Sequence, residues 1–284
     1  MNKLWVYIYG KIPKSIRHRL VKQKLFTGLR RYILKPKGSF RVASAKLKKN
    51  YDAYTMEFEY VASIKDVARA QQTGIENKIL NQSIALLKKE YKDASHFTIL
   101  DVGANFGYLS LVWAQSICAN DGMVYAFEPN LEVFQCLKKS IKANGLSERL
   151  KVVNKAVGNQ NATVDIYVEN ATSNMMQDAK MIESHNSITI DMTTIDDFVK
   201  HNPIDECHLI KIDVDGIELD ILKGAEQTIT ELRPILIVET NGMQGIYDYL
   251  KTLNYRLYDL DMAIVQEHQA LPENIIACPI DHKL

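Results

Sequence analysis

The sequence has few features of secreted or membrane-spanning proteins. Its four cysteines lie far apart in 284 residues, without the paired spacing that holds zinc, and we expect reduced, partly buried thiols. The longest apolar runs, such as Leu4–Tyr9, reach only five or six residues, whereas a spanning helix needs roughly 20. One lysine precedes that run and no small-residue cleavage site follows it, so no secretory leader is predicted. These absences favour the cytoplasm.

Acidic residues are absent from positions 1–50, which hold fifteen lysines and arginines, whereas all 34 aspartates and glutamates follow them. Within this region, 16–33 has apolar residues at helical spacing with basic residues between them. Such a helix fits an anionic membrane surface, which would place the protein at the membrane periphery, or it packs on the main domain with its charges solvated. Nucleic-acid binding is not predicted, because the aromatic residues form a separate cluster. We predict a basic extension over 1–60 and one main domain over 61–284.

Short apolar runs alternate with helical-period segments from residue 97 onward. The predicted strands are 97–102, 123–127, 150–157, 208–214, 235–240, 255–259 and 275–277, and a short β-like run precedes them over 53–61. The predicted helices are 75–91, a stretch ending near 119, 131–143, 218–232 and 245–253. This alternation predicts an α/β fold whose mostly parallel sheet carries helices on both faces. Segments 163–168 and 187–192 alternate like a hairpin and predict an insertion.

A glycine-containing loop follows the first of these strands. In Ile99–Gly107 the strand ends at Asp101, and Gly103 and Gly107 allow the backbone to approach a ligand closely. The middle glycine of a dinucleotide-binding loop is absent, and a carboxylate at Asp101 would repel phosphate. The loop therefore favours a cationic ligand, such as the ammonium end of S-adenosylmethionine.

A second carboxylate stands at the end of the next strand. Glu128 can accept both hydrogen bonds of a ribose diol. Nicotinamide enzymes use the same arrangement, so Glu128 alone does not distinguish a nicotinamide cofactor from S-adenosylmethionine. Together with Asp101 it favours the methyl donor. The alternative is that Asp101 caps a helix and Glu128 is a surface turn residue.

Several segments together resemble one protein family, the FkbM family of S-adenosylmethionine-dependent methyltransferases. The resemblance covers about residues 73–280, and its most specific element is Lys-x-Asp-x-x-Gly-x-Glu within Leu209–Gly224. The other matching segments are Gly74–Glu76, Ile99–Gly107, Phe127–Pro129, Ala156–Gly158, Thr194–Phe198 and Val238–Glu239. The resemblance implies a class I methyltransferase fold with a Rossmann-like, seven-stranded sheet. It also implies O-methylation of a hydroxyl acceptor, which we expect to be a saccharide or glycolipid.

The resemblance also implies roles for individual residues. It places the methionine end of the cofactor at the loop after the first strand, the ribose at Glu128, and adenine after the third strand. A glutamate ahead of the first strand is expected to close the pocket. The cofactor-binding residues expected on this basis are Glu76, Asp101, Gly103, Asn105, Phe106, Gly107, Glu128, Pro129, Asn154 and Ala156.

The fourth strand supplies the candidate catalytic residues. Asp213 ends it and is the first candidate for the base that takes the proton from the acceptor hydroxyl. Asp215 and Glu218 follow, either to assist or bind acceptor hydroxyls, or to cap the next helix. Lys211 is expected either to belong to the site or to be a strand lysine with its head at the surface.

A metal site is not predicted. Asp213, Glu239 and Asn241 are oxygen ligands that suit magnesium, but nothing local fixes their geometry.

Two further classes of function stay open. The enzymatic alternative is a nicotinamide-dependent oxidoreductase. The non-enzymatic alternative is a methyltransferase-like fold that serves as a binding module or assembly subunit.

Overall fold

A seven-stranded sheet forms the centre of the computed structural model, which describes residues 2–12, 40–170, 173–175, 187–214 and 216–282. Its strands are β3 (Thr98–Val102), β4 (Met123–Phe127), β5 (Leu150–Val153), β10 (Leu209–Ile212), β11 (Ile235–Glu239), β12 (Tyr255–Tyr258) and β13 (Asn274–Pro279). They lie in the order β5-β4-β3-β10-β11-β13-β12, and β13 runs antiparallel to both of its neighbours. This mostly parallel sheet confirms the predicted fold class.

The order of the strands places a topological switch point between β3 and β10. From β3 the chain builds β4 and β5 on one side, and β10 and β11 follow on the other. Ligands of such sheets bind beyond the carboxyl ends of the strands at this point. The ends of β3, β4 and β10 are therefore the expected place for a site.

Helices cover both faces of the sheet and pack on two hydrophobic clusters. One cluster contains Ile99 and lies under helices that include α3 (Asn77–Glu90), α4 (Tyr108–Gln115) and α5 (Leu131–Ala143). The other contains Leu100, the next residue of β3, whose side chain points to the opposite face. The helices on that face are α6 (Ile195–His201), α7 (Glu218–Lys223), α8 (Glu226–Leu232) and α9 (Gln244–Thr252).

An N-terminal hairpin joins the first cluster. Strands β1 (Val42–Tyr51) and β2 (Tyr54–Ser63) pair over ten residues, and helices α1 (Lys3–Lys11) and α2 (Ile64–Gln72) pack against them. A side chain of helix α5 also binds the hairpin. Ser140 Oγ accepts a hydrogen bond from the Val61 backbone N–H at 2.9 Å. The predicted boundary at residue 60 falls inside β2. The hairpin thus shares its core with the sheet.

The insertion between β5 and β10 forms a second sheet. Its strands are β6 (Ala156–Val157), β7 (Ala162–Asn170), β8 (Ser173–Met175) and β9 (Ser187–Thr193), in the order β6-β9-β7-β8. The pairing of β7 with β9 confirms the predicted hairpin.

Two predicted elements differ from the structure, and two observed elements were not predicted. The strand expected over 150–157 divides into β5 and β6, which belong to different sheets. The helix expected over 218–232 breaks at Gly224 and Ala225 into α7 and α8. The hairpin strand β1 and the helix α2 were not predicted.

Some expectations have a narrower outcome. The basic helical stretch over 16–33 lies outside the described residues. All four cysteines are free, as expected, and all four are buried where partial burial was predicted. In the part of the chain that is described, no helix combines the length and apolar character needed to cross a bilayer.

Candidate functional site

A tight turn joins β3 to α4 and brings two strand ends together. Gly103 has φ +76°, and a Cβ at this position would overlap the carbonyl oxygen of Asp213 at the end of β10. Gly107 has φ +72°, and a Cβ at this position would overlap the side chain of Leu137. Both positions combine a left-handed backbone with a close approach, so they favour glycine. The turn therefore packs backbone against backbone at the switch point.

A buried ion network connects β3 with β10. Asp101 and Lys211 are register partners on these strands, and their side chains are 1% and 5% exposed. Lys211 Nζ lies 3.4 Å from Asp101 Oδ1 and 3.1 Å from Asp213 Oδ2, and it donates to the Gly103 carbonyl oxygen at 3.1 Å. Ser110 Oγ donates to Asp101 Oδ2. The lysine thus ties two carboxylates and the turn into one unit.

The charges of this network fix its protonation. Burial lowers the pKa of Lys211, but the carboxylates of Asp213, Asp101 and Glu76 outweigh it and hold that pKa well above its usual value. Burial raises the pKa of Asp213, but the charge and hydrogen bond of Lys211, together with a hydrogen bond to Glu239, bring it below its usual value. Lys211 is therefore a permanent cation, and Asp213 is a carboxylate at neutral pH. A lysine head at the surface, the alternative interpretation of Lys211, is wrong.

Backbone donors hold the carboxylate that follows β4. Glu128 is 3% exposed, and its Oε2 accepts from the Asn105 N–H at 2.9 Å while its Oε1 accepts from the Asn130 N–H at 2.8 Å. Asn154 Nδ2 donates to the carbonyl oxygens of Glu128 and Pro129, both at 2.9 Å. The orientation of Glu128 is thereby fixed before any ligand binds.

Glu76 approaches the network from the start of α3. Its backbone is left-handed, with φ +48°, an uncommon conformation for a residue with a side chain. Burial raises the pKa of Glu76; Lys211 opposes this, whereas Asp213 and Asp101 add to it. Two buried carboxylate oxygens, Glu76 Oε2 and Asp101 Oδ1, accept no hydrogen bond from the described residues. Buried acceptors without donors are costly unless a ligand supplies the donors.

These groups surround a cavity of about 310 Å³ at the carboxyl ends of the strands. Such a volume is at the lower end of the range for small-molecule sites. Of the residues predicted from the sequence, those that line it are Glu76, Asp101, Gly103, Asn105, Phe106, Glu128, Pro129, Ala156 and Asp213. Gly107 and Asn154 lie outside the lining, where they shape the turn and hold the backbone beneath it.

Of the other catalytic candidates, Glu218 lies outside the cavity lining. Glu218 is fully buried, and its Oε1 accepts from the Gly216 N–H and from Asn241 Nδ2, both at 3.1 Å. It braces the loop after β10 and does not line the cavity, and burial raises its pKa. Asp215 lies outside the described residues. Among the residues with described positions, no three of the His, Cys, Asp or Glu type form a metal-binding group.

One wall of the cavity was not predicted from the sequence. The lining also includes Tyr60, at the end of the hairpin, and Lys65, Asp66 and Arg69 on α2, with Lys155 between β5 and β6. One signal for α2 was present: Ser63 and Asp66 have capping-box spacing, and Ser63 Oγ accepts from the Asp66 N–H at 3.2 Å.

One known protein family matches more than half of the chain. The methyltransferase FkbM domain matches residues 101–257, which include Asp101, Glu128, Lys211 and Asp213. The chain belongs to the FkbM methyltransferase family. It is therefore a methyltransferase, and its cofactor is S-adenosylmethionine. The wall formed by the hairpin and α2 lies outside the matched residues.

Individual relatives are distant. The hexuronic acid methyltransferase AglP of Haloferax volcanii is 26% identical over 195 residues, which are 68% of this chain and 74% of the relative. The 2-O-methyltransferase NoeI of Sinorhizobium fredii is 21% identical over 171 residues, 55% of this chain and 66% of the relative. A solved FkbM methyltransferase from Methylobacillus flagellatus has 16% identity and a TM-score of 0.46, covering 76% of this chain and 65% of the other.

The cavity suits this cofactor chemically. S-adenosylmethionine carries an ammonium group and a sulfonium, and the floor of the cavity supplies Asp101 Oδ1 and Glu76 Oε2 as buried acceptors without donors. The ribose diol requires acceptors as well, and the Glu128 carboxylate lies on the lining. These carboxylate acceptors therefore fit a cationic ligand that carries a ribose.

Proposed function

We propose that the protein transfers a methyl group from S-adenosylmethionine to a hydroxyl of a saccharide. The observation that carries this proposal is the meeting of Asp101, Glu128 and Asp213 around one cavity, with Lys211 buried between two of them. Buried carboxylates held around one buried cation suit a cationic donor and an alcohol that must lose a proton.

The residues of the cavity divide into binding and catalytic roles in this proposal. Asp101 and Glu76 would hold the ammonium end, and Glu128 the ribose, with Gly103, Asn105, Phe106, Pro129 and Ala156 forming the surrounding wall. When bound, the cofactor supplies an electrophilic methyl group on a sulfonium. Positioning of the acceptor oxygen contributes much of the acceleration of such displacements.

Asp213 is the proposed base. Its carboxylate would accept the proton of the acceptor hydroxyl as the oxygen becomes nucleophilic. Lys211 keeps this carboxylate ionised and fixes one of its oxygens at 3.1 Å. Glu218 is assigned a supporting role, because its hydrogen bonds hold the loop that follows Asp213.

The names of two relatives support a saccharide acceptor. One is described as a hexuronic acid methyltransferase and the other as a 2-O-methyltransferase. The wall outside the family match gives this chain its own surface for acceptor recognition.

Calorimetric titration with S-adenosylhomocysteine tests the proposal. We expect micromolar binding that Asp101→Asn and Glu128→Gln each weaken by at least about tenfold, because each removes a charge from a buried site. Lys142→Met, an exposed position on α5, is the matched control. Absence of binding by the folded protein would contradict the proposal. NADH titrated in parallel distinguishes the oxidoreductase alternative, and cofactor binding without transfer to any saccharide would favour a binding module.

A second feature favours a peripheral membrane contact. Leu4, Tyr7 and Ile8 are 66%, 63% and 37% exposed and lie on one face of α1 by their spacing, while Val6 packs into the core. We propose that this face, together with the basic region 1–50, meets an anionic lipid surface. Deleting 1–50 would remove β1, so the test uses the triple variant Leu4→Ser, Tyr7→Ser and Ile8→Ser. Its sedimentation with anionic vesicles should fall well below that of the parent; equal sedimentation, or equal binding to neutral vesicles, would contradict the contact.

A further inference from the structure

The charged side chains that line the cavity are sorted by exposure. Among its described residues, the lining holds six acids, all buried or half-buried, and the buried Lys211. The exposed charged residues of this described lining are cations, namely Lys65, Arg69 and Lys155. We call these three residues the basic rim. The floor of the cavity is acidic, whereas its solvent-facing edge is basic.

The basic rim has no ion-pair partner among the residues that the structure describes. In the described ranges, no carboxylate lies within 4 Å of the side-chain nitrogens of Lys65, Arg69 or Lys155. Arg69 acts only at longer range on Glu76, where its charge lowers the pKa that burial raises. The rim therefore retains its capacity to bind an anion.

Two of the three cations are placed by helix geometry. Lys65 and Arg69 stand four residues apart on α2, so they share one helix face. Like charges at this spacing destabilise a helix slightly, and an anion bound between them would offset that cost. Lys155 comes from a separate element, the link between β5 and β6.

We propose that the basic rim binds an anionic group of the acceptor, so that the substrate is a saccharide bearing a carboxylate or a phosphate. This inference rests on the proposed function and narrows its acceptor class. Arginine and lysine bind both kinds of anion through charge-assisted hydrogen bonds. An anion at the rim also stays away from the carboxylates of the floor, which would repel it. The acceptor is then held by its charge at the edge while its hydroxyl faces inward.

The experiment compares sugars that differ mainly in charge. Protein saturated with S-adenosylhomocysteine is titrated with methyl β-D-glucuronide, with glucose 6-phosphate and with the neutral methyl β-D-glucoside. We expect at least one anionic sugar to bind about tenfold more tightly than the glucoside, as expected for charge-assisted bonds. The two anionic sugars distinguish a carboxylate from a phosphate. Equal affinities, or no binding by either anionic sugar at millimolar concentration, would overturn the proposal.

Variants separate the acceptor from the cofactor. In the double variant Lys65→Met and Arg69→Met we expect the preference for the anionic sugar to fall below about twofold, with an unchanged Kd for S-adenosylhomocysteine. Lys142→Met should keep the preference. If the double variant instead loses S-adenosylhomocysteine binding, the rim holds the carboxylate of the cofactor and the inference is wrong. Failure of the parent protein to bind S-adenosylhomocysteine would contradict the proposed function itself.

Discussion

The two walls of the cavity differ in how their charged side chains are buried and paired. At the carboxyl edge of the sheet, Lys211 Nζ lies 3.4 Å from Asp101 Oδ1 and 3.1 Å from Asp213 Oδ2. On the wall formed by the hairpin and α2, Lys65 and Arg69 stand exposed and without ion-pair partners among the described residues. The first wall lies inside the matched family domain and the second outside it.

This difference separates chemistry from selectivity. Buried charges interact strongly and cannot be changed singly without leaving another charge uncompensated. Exposed charges contribute little to folding, so they can change with the substrate. We infer that the floor carries out the reaction shared by the family and that the second wall selects the acceptor.

The largest expected effect is on turnover at the floor. Asp213→Asn keeps the shape of the side chain but removes its ability to take a proton, so we expect kcat to fall by about 10²–10⁴-fold. The Kd for S-adenosylhomocysteine should change little, because Asp213 is not assigned to cofactor binding. Single-turnover kinetics and calorimetry on the same preparation check both. Unchanged turnover would place the base elsewhere.

Removal of the buried cation should affect both folding and pH dependence. Lys211→Met leaves Asp101 and Asp213 without their counter-ion, and we expect a loss of about 3–5 kcal/mol in the free energy of unfolding. In the parent, the lysine holds the pKa of Asp213 below its usual value, so the proposed base should become protonated only below the usual titration range of an aspartate. Without it that pKa rises, and the acid limb of kcat/KM should move to higher pH.

A second variant at position 211 separates the effect on pH dependence from the effect on folding. Lys211→Arg retains the charge and should retain most of the stability and a pH profile close to that of the parent. Urea unfolding and a pH–rate series measure the two effects. An acid limb that stays in place in a folded Lys211→Met protein would show that the lysine does not tune Asp213.

A smaller effect is expected where the second wall meets the main domain. Asn144 Oδ1 accepts from the Glu59 N–H, and its Nδ2 donates to the Glu59 carbonyl oxygen, both at 2.8 Å. Asn144→Ala leaves these backbone groups of β2 unpaired, and we expect a loss of about 1–3 kcal/mol. Because the hairpin shares the core, unfolding should remain a single transition. Asn159→Ala, at an exposed position, is the control, and two separate transitions would contradict a shared core.

The smallest effect is expected at the exposed face of the hairpin. Lys46 and Glu57 form an ion pair at 2.9 Å, with side chains 65% and 53% exposed. Lys46→Met should change the free energy of unfolding by less than about 0.5 kcal/mol, because solvent and salt screen such pairs. Chemical denaturation measures it. A much larger change would contradict the assignment of little folding energy to exposed charges on this wall.

Much of the sheet could be predicted because its buried strands are short apolar runs next to glycine turns. Strands β3, β4 and β11 and helix α5 match the predicted segments within about two residues. Asp101, Glu128 and Asp213 could be placed together because the carboxyl ends of parallel strands meet at one edge.

The second wall escaped prediction for physical reasons. Strand β1 contains Lys46, Lys48 and Lys49, so its alternation resembles a charged tail rather than half of a hairpin. Helix α2 is polar on its exposed side, and its contribution to the cavity depends on contacts formed across the fold. The buried head of Lys211 likewise depends on strand register, which pairs it with Asp101.

The register partnership of Asp101 and Lys211 has a consequence for synthesis of the chain. The two residues are 110 positions apart, so Asp101 leaves the ribosome well before the cation that neutralises it. At typical translation rates this delay is about 5–20 s. During that time β3 has no β10 beside it, and a nascent chain that buried Asp101 would bury an unpaired charge. The strands of the N-terminal half are therefore expected to complete their packing only after β10 has emerged, so the pairing of Asp101 with Lys211 would set the order of folding during synthesis.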